Sequence, residues 1–209
     1  MGLCKDGLPF VGIALLLTLC VGAWFGFWFA FPLAGLSLFI AWFFRDPERT
    51  LPEDPRALVS PADGKIIDIR RVPYPRLLSG EATRVSIFMS VVNVHVNRIP
   101  FGGKIRQVHY NPGKFLAAFS EKSSLENEQT AIVIDTDRGF PLMLVQIAGL
   151  IARRIVCRVS PGESVECGEK YGLIRFGSRA DLYLPENVEV TVRVGETVKG
   201  GSSVLGFCK

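Results

Sequence analysis

Histidine is scarce in this chain: its 209 residues hold two, His95 and His109. Chemistry that moves protons through imidazole therefore has at most two places to reside. No C-x-x-C pair occurs among Cys4, Cys20, Cys157, Cys167 and Cys208. That spacing argues against a zinc site and a disulfide framework, so no metal is expected and reduced thiols in a cytoplasm-facing protein are the simplest reading. The absence of G-x-S-x-G removes the nucleophile elbow of the hydrolases. Strand-like runs do not alternate with helical ones, which removes βαβ units and a parallel sheet. A net charge of +4 calls for no nucleic acid; it suits an anionic lipid surface or simple solubility.

Side-chain charge is missing altogether from Gly7 to Phe44. One membrane crossing takes roughly 20 residues, and this run is longer, divided by Pro32 and Gly35. Two readings fit. Residues 8–31 span and 33–44 continue as a kinked or interfacial piece, or two helices form a hairpin turning near Phe31-Pro32. The hairpin is preferred. It puts both ends on one side, which Arg45, Arg49 and Arg56 mark as cytoplasmic. Trp24, Trp28 and Trp42 then suit the interfaces. The chain divides into a hydrophobic anchor of one or two helices at 1–44, a proline-bearing linker at 45–56 and a soluble domain at 57–209.

In that domain short runs of Val, Ile and Phe alternate with Gly, Pro and Asn. Strands are predicted at 65–72, 83–92, 94–99, 104–110, 130–136, 141–151, 153–159, 171–176, 180–184, 188–194 and 203–207, and a helix only at 113–121. The fold class is mainly β and antiparallel. One repeat stands out: Gly162-Glu163-Ser164-Val165-x-x-Gly168 matches Gly195-Glu196-Thr197-Val198-x-x-Gly201, and each copy runs on to a further glycine, Gly172 or Gly206. With Pro61-Ala62-Asp63-Gly64-Lys65 upstream, these Gly-Glu-x-Val repeats resemble the flattened barrels of lipoyl and biotinyl carrier domains. A carrier displays its lysine within Met-Lys-Met or Asp-Lys-Ala, and neither triplet occurs. The barrel-like shape is therefore kept, and a non-enzymatic, membrane-anchored lipoyl-like binding or adaptor domain is the alternative function.

Residues 171–185 read as two strands meeting at Gly177-Ser178. Glycine admits backbone angles and close approaches that other residues resist, and serine adds a hydroxyl. Alone, the pair reads as a turn. His95 lies in Asn93-Val94-His95-Val96-Asn97-Arg98, where Asn93, His95 and Asn97 share one face of a strand. Such a stripe lines a site or faces solvent. Asp63, before Gly64, reads first as a turn aspartate. Asp63, His95 and Ser178 together make an acid, an imidazole and a hydroxyl, the groups of nucleophilic catalysis, so a serine hydrolase is a further reading. His109, beside a turn, is read as structural.

Four motifs occur in order: Pro-Ala-Asp-Gly at 61–64, Asn-Val-His-Val-Asn-Arg at 93–98, Glu-Asn-Glu-Gln at 126–129 and Arg-Phe-Gly-Ser-Arg at 175–179. With the apolar N-terminus they resemble the short form of the phosphatidylserine decarboxylase family, over the whole chain. The resemblance implies a proenzyme that cuts itself at Gly177-Ser178 into a β chain, 1–177, and an α chain, 178–209, which stay together as a heterodimer, with a higher oligomer left open. Ser178 becomes a covalent pyruvoyl group, the only cofactor implied. It takes the headgroup amine of phosphatidylserine as a Schiff base and acts as electron sink, yielding phosphatidylethanolamine. The resemblance also assigns His95 and Asp63 to catalysis and places the enzyme on the inner face of the cell membrane. Arg98 or Arg179 would hold the lipid phosphate. Three positions depart from the longer bacterial members: Arg98 stands where they carry a second histidine, Asn93 where they carry an acid, and Gln129 where an arginine is expected.

Overall fold

The computed structural model describes residues 2–74, 77–78, 80–113, 127–149, 154–175 and 178–209. The chain divides into two compact units, Met1–Glu48 and Arg49–Lys209.

The first unit is a helical hairpin. Strand β1 (Gly2–Leu3) pairs with β2 (Arg45–Asp46), and between them run α1 (Leu8–Phe25) and α2 (Phe27–Phe43). The turn falls at Gly26 rather than at Phe31-Pro32. Gly26 has φ of +87°, a left-handed angle that a side chain would strain. Pro32 lies inside α2, near its start, where it removes one backbone hydrogen bond without ending the helix. The helices touch where Thr18 Oγ1 and Ser37 Oγ lie 3.0 Å apart, each oxygen also within hydrogen-bond distance of a carbonyl one turn back in its own helix, so that one hydroxyl donates across the contact or both donate to the carbonyls. Residues Lys5–Phe25 are long and apolar enough to cross a membrane; the apolar helix Phe27–Phe43 is shorter.

The second unit is built from β3 (Ala57–Val59), β4 (Gly64–Pro73), β5 (Glu81–Met89), β6 (Val96–Arg98), β7 (Gly103–Asn111), β8 (Gln129–Thr136) and β9 (Pro141–Ile147). It continues with β10 (Ile155–Cys157), β11 (Ser164–Val165), β12 (Lys170–Ile174), β13 (Ser178–Leu184), β14 (Val188–Val190), β15 (Thr197–Val198) and β16 (Val204–Cys208). The fold is mainly β, as expected, and the described pairings are antiparallel. One eight-stranded sheet has the order β11-β7-β8-β9-β13-β5-β4-β15; two three-stranded sheets have the orders β10-β12-β6 and β14-β16-β3. Strands β3, β11 and β15 are absent from the sequence reading because two or three residues are too few to show alternation. The helix expected at 113–121 lies outside the described residues from 114 onward.

The repeat seen in sequence is the trace of a larger one. Both Gly-Glu-Ser/Thr-Val copies form edge strands, β11 on Gly103-Lys104 and β15 on Gly64-Lys65, at opposite ends of the large sheet. Their outer glycines all have positive φ, +90° and +79° in one copy, +96° and +76° in the other. The match then extends through every strand. Hairpins β4–β5 and β7–β8 share a bulge at the same step, Ile66/Asp68 and Ile105/Gln107. Pairs β3–β16 and β6–β12 also share one, Val204/Gly206 and Lys170/Gly172. The two copies meet at β9 and β13, about the pair Leu144–Leu182. One copy, β6 to β12, is thus inserted into the other, between β5 and β13.

Strand β13 lies between β5 and β9 and is buried along its whole length. Ala180, Leu182 and Leu184 point into the main core with Leu58, Ile87 and Leu144. Tyr183, of the other parity, joins Val145 and Ile147 in a second cluster. Burial on both faces explains the near-continuous apolar runs of these central strands.

Candidate active site

The chain passes from one copy to the other after β5 and returns after β12, and His95 lies on the first of these passages, one residue before β6. His95 meets the end of β12. Ile174 N–H donates to His95 O at 3.4 Å, and Val96 pairs with Leu173, so His95 lies beside the end of β12, four residues before Ser178. Ser178 is the first residue of β13 and sits opposite Met89, the last residue of β5. One strand further, Asp63 and Gly64 follow on from the Lys65–Phe88 pair. Three strand ends carrying Asp63, Met89 and Ser178 therefore lie side by side. Strand β6 crosses them, with Arg98 N–H donating to Pro61 O at 2.9 Å and the Asn97 side chain reaching Met89.

Ser178 is wholly buried, and its hydroxyl has no hydrogen-bond partner among the described residues. Strand alternation turns its side chain to the same interior as Ala180 and Leu182. His95 is 2% exposed, with Nδ1 3.0 Å from Asn93 O. A proton on Nδ1 satisfies that carbonyl and leaves the lone pair on Nε2, the tautomer that accepts a proton there. Asn93 also closes the crossover, its Oδ1 accepting from Ser90 N and Oγ at 2.9 and 2.7 Å.

Asp63 makes its bonds elsewhere. Arg49 Nη2 donates to both carboxylate oxygens, at 2.9 and 2.7 Å, and Gly200 N–H donates to Oδ1 at 2.7 Å. A buried carboxylate needs this compensation, since desolvation without a partner costs several kcal/mol, on the order of the ion-pair gain itself. Arg98 Nη1 donates to Gly168 O at 3.0 Å. Arg179 is bound by both ends to Asp181, on the face of β13 opposite Ser178. Arg49, in the stretch expected to be linker, is the counter-ion of Asp63. His109 lies in the middle of the β7–β8 hairpin, opposite Ala131.

Gln146 has no place in the sequence reading of the site, and Asn97 enters it only through the stripe it shares with His95. Gln146 is wholly buried on β9 opposite Ala180, and its Nε2 donates to Asn97 Oδ1 at 2.8 Å. Asn97 Nδ2 in turn lies 3.7 Å from Met89 Sδ. Their signals were present: Asn97 shares the His95 face, and Gln146 is the one polar residue in Leu142-Met143-Leu144-Val145-Gln146-Ile147. Within the 126–129 motif, Asn127 Nδ2 donates to Ala148 O at 2.7 Å, pinning the chain just after β9.

The profile of the phosphatidylserine decarboxylase family matches residues 36–206. This chain belongs to that family. It is 48% identical over 202 residues to the phosphatidylserine decarboxylase proenzyme of Desulfotalea psychrophila, covering 97% of this chain and 94% of the relative. To the proenzyme of Syntrophus aciditrophicus it is 47% identical over 204 residues, covering 97% and 95%. To that of Pelobacter propionicus it is 48% identical over 210 residues, covering 96% and 94%. Membership makes the chain an enzyme, a decarboxylase. Among the described residues no cluster of His, Cys, Asp and Glu suits a metal ion.

Proposed function

We propose that the chain cleaves itself between Gly177 and Ser178, converts Ser178 to a pyruvoyl group, and decarboxylates phosphatidylserine to phosphatidylethanolamine at the cell membrane. The observation that carries this reading is Ser178 itself: a buried hydroxyl without a hydrogen-bond partner among the described residues, at the head of β13, four residues after Ile174, whose N–H donates to His95 O. An orphaned buried hydroxyl costs stability, about 1–3 kcal/mol, and is compensated when it has a reaction to perform.

In the first step Ser178 Oγ attacks the Gly177 carbonyl carbon. The carbon–nitrogen bond breaks as the nitrogen takes a proton, and the amide becomes an ester with a free amine. Loss of the Ser178 α-proton then expels the Gly177 carboxylate. The resulting dehydroalanine tautomerises to an imine, and one water releases ammonia and leaves a ketone. Glycine at 177 suits the attack because no side chain shields the carbonyl. His95, with Nε2 as its basic nitrogen, is the proposed proton carrier. Asp63, held by Arg49 and Gly200, contributes a fixed negative charge at the neighbouring strand end.

The pyruvoyl group supplies a carbonyl for the headgroup amine and a sink for the electrons that carbon dioxide leaves behind. Arg98 and Arg179 are the proposed contacts for the lipid phosphate. Arg98 is the better placed, on β6 near the site, whereas Arg179 is occupied by Asp181. Residues 178–209 stay attached after cleavage, because β13 is hydrogen-bonded between β5 and β9. The hairpin holds the enzyme in the membrane that supplies its lipid, with the β-unit on the cytoplasmic side.

A denaturing gel with mass spectrometry tests this. The wild-type protein yields a fragment 178–209 without a free amine at its start, and Ser178→Ala stays whole. A wild-type chain that remains whole, with unmodified Ser178, overturns the reading and leaves the adaptor alternative. Fluorophosphonate labelling of Ser178 without cleavage would point to a hydrolase.

A further inference from the structure

The two copies of the fold can be compared position by position. The strand pairs Gly172–Asn97 and Gly206–Leu58 correspond, so Leu58 is the counterpart of Asn97. The pairs Thr130–Gln146 and Thr83–Leu184 correspond, so Leu184 is the counterpart of Gln146, with a threonine opposite in both copies. All four side chains are 0% exposed. Leu58 and Leu184 belong to the main apolar core. The fold thus places two core leucines at these positions in one copy and a hydrogen-bonded amide pair in the other. Packing does not demand the amides. Burying them is also costly: Gln146 Oε1 has no hydrogen-bond partner among the described residues.

The polar version lies on the site. Ala180 faces Gln146 across β9–β13, and Ser178 lies two residues along on the same face. Asn97 lies two residues from His95 on β6 and reaches Met89, which faces Ser178 across β5–β13. Through Gln146 and Met89, Asn97 is tied to both strands that flank β13. We propose that the Asn97–Gln146 pair is a positioning device for self-cleavage, fixing the His95 end of β6 against the Ser178 end of β13. Leucines at these places would hold the sheets together without fixing how β6 is aimed, because apolar contact is non-directional whereas an amide pair has one geometry. This inference rests on the self-cleavage reading.

The test compares four chains: wild type, N97L/Q146L, which copies the other half's leucines, Q146M, which keeps length without a donor, and N97Q/Q146N, which exchanges the two amides at constant combined reach. Each is purified as the full chain, its folding checked by circular dichroism, and its cleavage followed on gels across pH. Misplacing a catalytic group by about 1 Å costs up to about 100-fold, so N97L/Q146L and Q146M are expected to fold and to cleave at least about tenfold more slowly. Their pH–rate profiles shift, because His95 takes the proton from a different place. N97Q/Q146N recovers most of the rate and the wild-type profile. The inference is overturned if Q146M, folded, cleaves with the wild-type rate and profile, or if the exchanged pair is no better than Q146M. A wild-type chain that does not cleave overturns the self-cleavage reading and this inference with it.

Discussion

Arg179 and Asp181, two residues apart on β13, form a two-pronged ion pair: Nε and Nη2 each lie 2.6 Å from a carboxylate oxygen, on the face turned away from Ser178. Their side chains are 3% and 0% exposed. Removing one partner of such a pair strands a buried charge. Arg179→Met is therefore expected to lower stability by about 3–5 kcal/mol, and Arg179→Met/Asp181→Leu by much less. Urea unfolding checks this. An Arg179→Met protein of normal stability with a raised KM would assign Arg179 to the lipid instead.

Asp68 governs acid stability on the neighbouring strands. Burial alone would raise its carboxyl, but hydrogen bonds from Arg84 and Arg70, each at 2.7 Å, hold it below its ordinary range. A depressed folded value means stability that is present above the unfolded pKa of about 4 and is lost as pH falls through the folded value. Asp68→Asn is expected to be the less stable protein at pH 7 and to lose less on acidification. Denaturant midpoints between neutral pH and about pH 3 measure the difference.

Tyr171 links stability to alkaline pH. It is wholly buried, burial pushes its phenol far above the ordinary value, and its hydroxyl has no hydrogen-bond partner among the described residues. Its contribution is complete below the unfolded pKa of about 10 and fades as pH rises beyond it. Tyr171→Phe removes a buried unsatisfied hydroxyl, so it is expected to match or exceed the wild type at pH 7, by up to about 1–3 kcal/mol, and to unfold less readily in alkali. Thermal unfolding at pH 7 and near pH 11 checks both halves.

The hairpin predicts tryptophan depths. Trp24 and Trp28 flank the Gly26 turn and are 84% and 83% exposed, while Trp42 lies at the other end with the Arg45 guanidinium 4.0 Å from its ring centre. An 18-residue helix is about 27 Å long, close to the hydrocarbon thickness of about 30 Å. Single-tryptophan variants in vesicles are expected to be quenched best by bromines near the headgroups at both ends. Quenching of Trp24 by mid-bilayer bromines would mean that the hairpin enters only halfway.

Much of the fold was legible because long strands carry their own signal. The runs at β4, β5, β7, β8 and β13 alternate or stay apolar over seven to ten residues, enough to be read singly. The duplication was legible only at its Gly-Glu-Ser/Thr-Val-x-x-Gly turns, where the backbone requires positive φ at the outer glycines of both copies. Elsewhere apolar side chains exchange freely, so Leu58 and Asn97 hide their equivalence in the sequence and reveal it in the pairing. The hairpin turns at Gly26 and not at Pro32 because a proline in the second turn of this helix removes one hydrogen bond without ending it, whereas the turn needs the positive φ that Gly26 supplies.

For the candidate site the division is similar. Sequence alone determined which features stand out: two histidines, a charge-free run from Gly7 to Phe44, and an ordered set of motifs, Arg-Phe-Gly-Ser-Arg among them, that implied the family. Those are local properties, and no folding changes them. Only the tertiary structure decided what faces what. It turned Arg179 from Ser178 by strand alternation, gave Asp63 to Arg49, and laid Asn97 and Gln146 beside the buried serine. These contacts join residues up to 49 apart in sequence across strands whose pairing depends on register, and register is settled by burial of the whole sheet rather than by any short stretch.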